Sequence, residues 1–289
     1  MGSSKNYNES ALSGALRLLA IHPAAQQHPQ TATMSKQSFT KQLVESDKTG
    51  FQRATQAPFL AAAARGQVSR ELLGSWLAND RIYIHNYISG TGRILATHEL
   101  PAISSLSINS AYAKLVDWLV EALVNVRREE RFFLDTANRH GIGIDLPTTV
   151  DGRVDDSAKL EGLRRFEKLF ASCALRKGEI LPWLEDAVVF YGTEKCYLDA
   201  WSWAASQIDV SKADVAADAD GGVLRTELIP NWSNKDFADF VNRLGAIIDD
   251  AVDEMVKAGG EALRSTLFAR AQAKWTELLA AEETFWPKA

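Results

Sequence analysis

The sequence predicts an all-α protein, a single compact multi-helix bundle, on three observations. Apolar residues recur at spacings of three and four from about residue 39 to the end of the 289-residue chain. No alternating strand run, sustained heptad register or internal repeat interrupts that pattern. The breaks between periodic segments are short and marked by Gly or Pro, as expected of about eight helices joined closely. At 46% hydrophobic the chain has enough apolar surface for one substantial core.

Composition narrows the function classes. The formal net charge is −5 and no basic cluster is present, so neither nucleic acid nor an anionic membrane is an expected partner. No apolar run approaches the length of a bilayer span. Two cysteines, Cys173 and Cys196, cannot make a disulfide framework and fit a reducing, cytoplasmic setting. Five histidines without HxxxH spacing, and no CxxC pair, argue against a recognisable zinc site.

In chain order, residues 1–33 differ from the rest: Ser-, Ala-, Gln- and His-rich, with Pro23 and Pro29, they read as a disordered extension. ALSGALRLLAI around Arg17 gives an alternative, a mitochondrial presequence, and Met34 reads as the natural start of the folded domain, 34–289. QSFTKQLVES forms a first short helix broken by Gly50, and FQRATQAPFLAAAAR a second that Pro58 kinks. A long helix over 69–96 follows, with Ser69 as cap and Glu71 in its first turn. Residues 108–139 form another, with Leu115, Trp118, Leu119, Leu123, Val126, Phe133 and Leu134 as apolar residues and HGIGIDLP as its stop. Helices over 157–177 and 180–206 are split near Gly178, with Pro182 in a first turn. SKADVAADADGG, 211–222, reads as a mobile surface loop. A helix capped by Ser233 or Asn234 then runs to Gly259-Gly260, and a last one covers 261–286.

The most informative stretch is the long helix. Asp80 lies four residues after Trp76, three before Tyr83 and seven before Tyr87, so the four share one face. A carboxylate among aromatic rings is costly to bury alone. Either it is partly exposed and paired with Arg81 or a neighbouring helix, or it lines a pocket for a flat nitrogenous ligand. On the later helix Glu194, Tyr197, Leu198 and Trp201 also share a face, from which Cys196 points about a third of a turn away.

Several motifs carry a family resemblance. APFLAAAARGQVSRELLGSWLANDRIYIHNY resembles the opening of the TenA (thiaminase II) family, with Ala57 for the usual His before Pro-Phe and Asn79 for the usual Gln before Asp. LRRFEKLFASCALRKGE, AVVFYGTEKCYLDAWSWA, ELIPNWSNKDFADFV and AAEETFWPKA resemble four later motifs of that family in the same order. The resemblance spans roughly residues 40–289 and implies the all-helical fold shared with haem oxygenase and PqqC, and a homo-oligomer without metal or organic cofactor.

It further implies hydrolysis of a C–N bond on an aminopyrimidine or thiamin-related fragment, as in thiamin salvage. Asp80 and Tyr83 stand at the family's pyrimidine-binding pair, Glu282 at its catalytic glutamate, and Tyr197 at its central-helix tyrosine. Thr193 then occupies the nucleophile position, with Glu194 and Cys196 flanking it. Phe166 and Trp232 replace two tyrosines, which keeps an aromatic lining but removes hydroxyl donors. The expected site therefore has Tyr83, Tyr87, Phe166 and Trp232 stacking on the ligand, Asp80 accepting from its amine, and Glu282, Glu194, Tyr197 and Cys196 as candidate catalytic groups. The alternatives are a catalytically silent protein that binds a small aromatic ligand or a protein partner, and cofactor-free oxidation like that of PqqC relatives. The last wants a basic, His-rich pocket that this sequence does not offer.

Overall fold

The computed structural model describes residues 37–174, 176, 178–209, 211 and 214–288, and the extension expected at 1–33 lies outside these. The described residues are helical, with a lone β-bridge between Thr148 and Val154 and no strand. The helices are α1 (Phe39–Ser46), α2 (Lys48–Thr55), α3 (Pro58–Ala64), α4 (Arg70–Thr97), α5 (Ser104–Ser107) and α6 (Ala111–His140). After a long connection follow α7 (Glu161–Ala171), α8 (Leu184–Ser206), α9 (Ile229–Trp232), α10 (Lys235–Gly259) and α11 (Glu261–Glu283).

Caps read from sequence set several of these ends. Ser69 accepts from the Leu72 amide at the start of α4, and Asn234 rather than Ser233 accepts from Phe237 at the start of α10. Gly50 does not break the chain. It lies inside α2, whose cap Asp47 accepts from the Gly50 amide. Pro58 does not kink a helix but begins one, at a first-turn position where its missing N–H costs nothing. The expected 157–177 helix is only α7, and Pro182 falls in the turn before α8 rather than in its first turn. Leu134, expected in the core, is 42% exposed.

Helix α8 runs through the middle, against α11, α10, α2, α3 and α9. Every residue from Leu184 to Thr193 is buried, which suits a helix surrounded on all sides. Its acidic start is offset by arginines: Arg270 pairs with Glu185 at 2.6 Å and Arg176 with Asp186 at 3.2 Å. Helix α4 packs on α6 and α7, and α11 closes the bundle on α8 and α7. Two glycines permit the α11 contacts. A Cβ on Gly192 would lie 2.4 Å from Leu278, and one on Gly162 would lie 2.4 Å from the Phe285 nitrogen and 2.5 Å from the Ala281 oxygen. The second contact holds the last turn of α11, which carries Glu282, against α7.

The loop expected to be mobile over 211–222 is anchored where it is described, from Asp214 onward. Asp220 is fully buried and accepts from the Gly222 and Leu224 amides, and Ala219 donates to the Gly66 carbonyl. Asp218 forms a buried ion pair with Arg225. Its aspartates serve as caps and pair members, so low apolar content does not free this segment. A π-helical turn at Leu224–Leu228 follows and runs into α9. Pro230 has no N–H to give the Thr226 carbonyl, and the wider turn accommodates that loss.

Candidate functional site

Between α4, α6, α8 and α9–α10 lies a cavity of about 470 Å³. Its floor is aromatic and buried, with Tyr87, Phe133, Trp232 and Phe240, while Glu121, Arg128, Asn234 and Asp236 stand exposed at its rim. Size and lining suit a small ring system.

Two acid–phenol hydrogen bonds cross from α4 to α8. Tyr197 Oη donates to Asp80 Oδ2 at 3.0 Å, and Tyr87 Oη donates to Glu194 Oε1 at 2.8 Å. The pairing is reciprocal: each helix gives one carboxylate and one tyrosine, three or seven residues apart, so helical spacing alone brings them to one wall. The second oxygen of each carboxylate has no hydrogen-bond partner among the described residues. Both residues line the cavity, so those oxygens are available to a ligand.

Electrostatics follow from burial. Asp80 is 3% exposed, and loss of water pushes its carboxyl up to about 8; the Glu129 charge adds to this and the Tyr197 hydrogen bond opposes it. Burial takes Glu194 up to about 7, again against the hydrogen bond from Tyr87 and with the help of Glu129. Burial also holds the Tyr83, Tyr87 and Tyr197 phenols well above their ordinary value, so all three stay protonated donors.

Of the residues expected at the site, Asp80, Tyr83, Tyr87, Glu194, Tyr197 and Trp232 line the cavity, and Thr193 joins them. Three expected members stand elsewhere. Phe166 packs edge-on behind Tyr83, with ring centroids 4.9 Å apart, because Tyr83 fills the space between α7 and the cavity. Cys196 is fully buried off the lining face, where burial raises its thiol well above the ordinary range. Glu282 is not solvated surface: at 3% exposure it is buried near Asp80 and Glu194, behind the lining residues. Its carboxyl makes no hydrogen bond to a described residue, and burial, then the charges of Asp80 and Glu194, raise that carboxyl well above the usual range. The Arg81 pairing weighed for Asp80 does not occur; Arg81 reaches Asp145 at 2.7 Å.

The chain end explains how Glu282 comes inside. Phe285 sits 5.6 Å from both Tyr83 and Phe166, and Trp286 stacks on Trp76 at 5.8 Å and donates to the Ala54 carbonyl at 2.7 Å. Trp76, Trp201 and Trp232 form a continuous aromatic cluster under the cavity, with Trp201 and Trp232 centroids 4.6 Å apart.

One lining carboxylate escaped the sequence reading. Glu129 of α6 accepts from Trp232 Nε1 and from Asn231 Nδ2, and burial raises its carboxyl above the ordinary value. In the run RREER it looks like a solvated helix face. A signal was present: it lies three residues after Val126 and four before Phe133, interrupting an apolar stripe as Asp80 does.

Comparison with known proteins supports the fold. No protein-family model matches the chain. A curated "probable transcription factor" of Fusarium pseudograminearum (strain CS3096) is 24% identical over 268 residues, 83% of this chain and 51% of that protein. The chain thus spans about half the length of the relative it matches. Among solved structures, a TenA homologue from Pyrococcus furiosus superposes with a TM-score of 0.61 at 20% identity, over 86% of this chain and 98% of that one. A TenA family transcription regulator from Silicibacter sp. TM1040 gives 0.61 at 12% identity, over 86% and 94% of the two chains. A TenA homologue from P. horikoshii OT3 gives 0.56 at 14%, over 86% and 99%. The fold is the all-α, haem-oxygenase-like fold of TenA proteins.

Proposed function

We propose that the cavity binds a small flat aminopyrimidine or related thiamin fragment and that the protein hydrolyses a C–N bond of it. The observation that carries this reading is the pair of cavity-lining carboxylates, Asp80 and Glu194, each braced by one tyrosine and each with an oxygen free. The ring stacks against Tyr83, Tyr87 and Trp232, and Asp80 accepts from its amine or protonated ring nitrogen. Such a ligand supplies a positive charge that offsets a buried carboxylate.

Glu194, with its carboxyl raised to about 7, is the group suited to proton transfer near neutrality. Protonated, it donates to the departing nitrogen as the C–N bond breaks. As a carboxylate it takes a proton from the water whose oxygen bonds to carbon, which restores the starting state. The products are the hydroxylated carbon fragment and the free amine. Glu282, buried beside it, acts as a second proton-holding carboxyl. Steady-state hydrolysis of an aminopyrimidine panel tests this: Glu194→Gln and Glu282→Gln are each expected to lose roughly a hundred- to ten-thousand-fold in rate. Undiminished turnover in either variant would remove that residue from the mechanism.

A second reading, a silent binder of a small aromatic ligand, is favoured by one observation. The two cysteines, Cys173 and Cys196, are both buried and neither lines the cavity, so no thiol there can act as nucleophile. Saturable, Asp80-dependent binding with no turnover on any panel member would establish it in place of the hydrolase.

A further inference from the structure

The reaction above leaves the Thr193 hydroxyl on the cavity wall without a task. Thr193 lines the cavity beside Glu194 on α8, and at 1% exposure it is shielded from bulk solvent. Its Oγ1 donates to the Phe190 carbonyl one turn back, at 2.9 Å. A carbonyl oxygen can only accept, so the hydroxyl proton lies on that side and the lone pairs of Oγ1 are left for a donor. The proton therefore faces helix backbone rather than a base, which makes Thr193 a poor nucleophile and a well-oriented acceptor.

Glu194 is the complementary half. Tyr87 Oη donates to its Oε1 at 2.8 Å and fixes the carboxyl plane, while Oε2 has no partner among the described residues. The Tyr83 phenol ties the two groups to one place: Thr193 lies close enough to act on it as a hydrogen-bond partner, and the Glu194 charge acts on it too. The one basic residue in the lining, Arg128, stands exposed at the rim and not between them. Two neighbouring acceptors on a buried wall suit a molecule that brings two O–H donors, and water is the smallest of these.

We propose that Thr193 Oγ1 and Glu194 Oε2 hold the hydrolytic water between them, so that Thr193 is a catalytic residue that aims the water and does not itself attack the substrate. This rests on the reading of the cavity as a site of C–N hydrolysis. Once Glu194 has given its proton to the departing nitrogen, its carboxylate and Thr193 each accept one O–H of the water, and an oxygen lone pair points into the cavity. As that lone pair bonds to carbon, the proton facing Glu194 moves to the carboxylate and restores the acid. The proton facing Thr193 stays on oxygen and becomes the hydroxyl proton of the product. Without the second acceptor the water turns freely about its bond to Glu194, and the attack geometry is lost.

Hydrolysis of 4-amino-5-(aminomethyl)-2-methylpyrimidine, with and without added methanol, tests this. Methanol has one O–H and can face Glu194 or Thr193 but not both, so wild type should discriminate against it and release mainly the hydroxymethyl product. Thr193→Val keeps the shape and should lower kcat about ten- to a hundred-fold with KM within about two-fold. It should also raise the methyl ether share of the product about five-fold or more, because the second acceptor no longer favours water. Thr193→Ser should recover most of the rate and the wild-type product ratio, and Thr193→Ala gives the same readings as valine should that side chain crowd the wall. Wild-type kcat or an unchanged product ratio in the valine and alanine variants, or a loss that serine shares, overturns the role of Thr193 while hydrolysis stands. No turnover by wild type removes both, since the held water then has no reaction to serve.

Discussion

Replacing Asp80 by Asn should stabilise the empty protein while weakening its ligand binding, and the gain should grow with pH. The Asp80 carboxyl moves from 3.8 in the unfolded chain to about 8 in the fold. Between those values the folded state holds a proton that the unfolded state has lost, so stability falls as pH rises through that window. Linkage over this window gives a loss of roughly 4 kcal/mol between pH 5 and pH 9 from this one group. Asparagine keeps the shape and can still accept from Tyr197, but it has no proton to lose. Other titrating groups are common to both proteins and largely cancel, save the neighbours Glu129 and Glu282, which lose a nearby charge and gain slightly. Some water in the cavity screens the effect, so a difference of about 2–4 kcal/mol at pH 9 is expected, or a melting point raised by roughly 5–15 °C. Paired thermal and urea melts at pH 5, 7 and 9 measure it. A variant less stable than wild type at pH 9, or an advantage that does not change with pH, would refute the argument that Asp80 is buried at a cost.

Two further outcomes follow from the geometry. Cys196→Ser should retain most activity and lose about 1–3 kcal/mol of stability in urea unfolding, because a hydroxyl enters a fully buried apolar place away from the cavity; abolished turnover in a folded variant would restore the thiol to the chemistry. Arg225→Ala leaves Asp218 buried without its partner and should cost about 3–5 kcal/mol, with loss of amide protection at Ala219, Gly222 and Leu224 measured by hydrogen exchange.

Much of the fold and part of the site were legible in the sequence, for physical reasons that differ by element. Helix α4 was readable because a Ser69 cap and a long periodic stripe agree, and its polar intruder Asp80 marked the wall. The α8 face holding Glu194 and Tyr197 followed from spacing alone, as did the separation of Cys196. Glu129 was hidden by its charged neighbours in RREER, although its own position lies on the apolar stripe. The order of the 214–222 segment was not legible, since it depends on Asp218 meeting Arg225 and Asp220 meeting nearby amides rather than on apolar content. Phe166 was misplaced by one layer because periodicity gives a face and not a depth; Tyr83 stands in front of it.

The central claim is that the Asp80 carboxylate anchors a flat amine-bearing ligand in this cavity, and calorimetric titration with 4-amino-2-methylpyrimidine tests it most directly. Wild type should bind one molecule per chain, and Asp80→Asn should bind it about 10- to 150-fold more weakly, the loss of one hydrogen bond to a charged group worth about 1.5–3 kcal/mol. No saturable binding to wild type, or an affinity that the substitution leaves unchanged, would contradict the account.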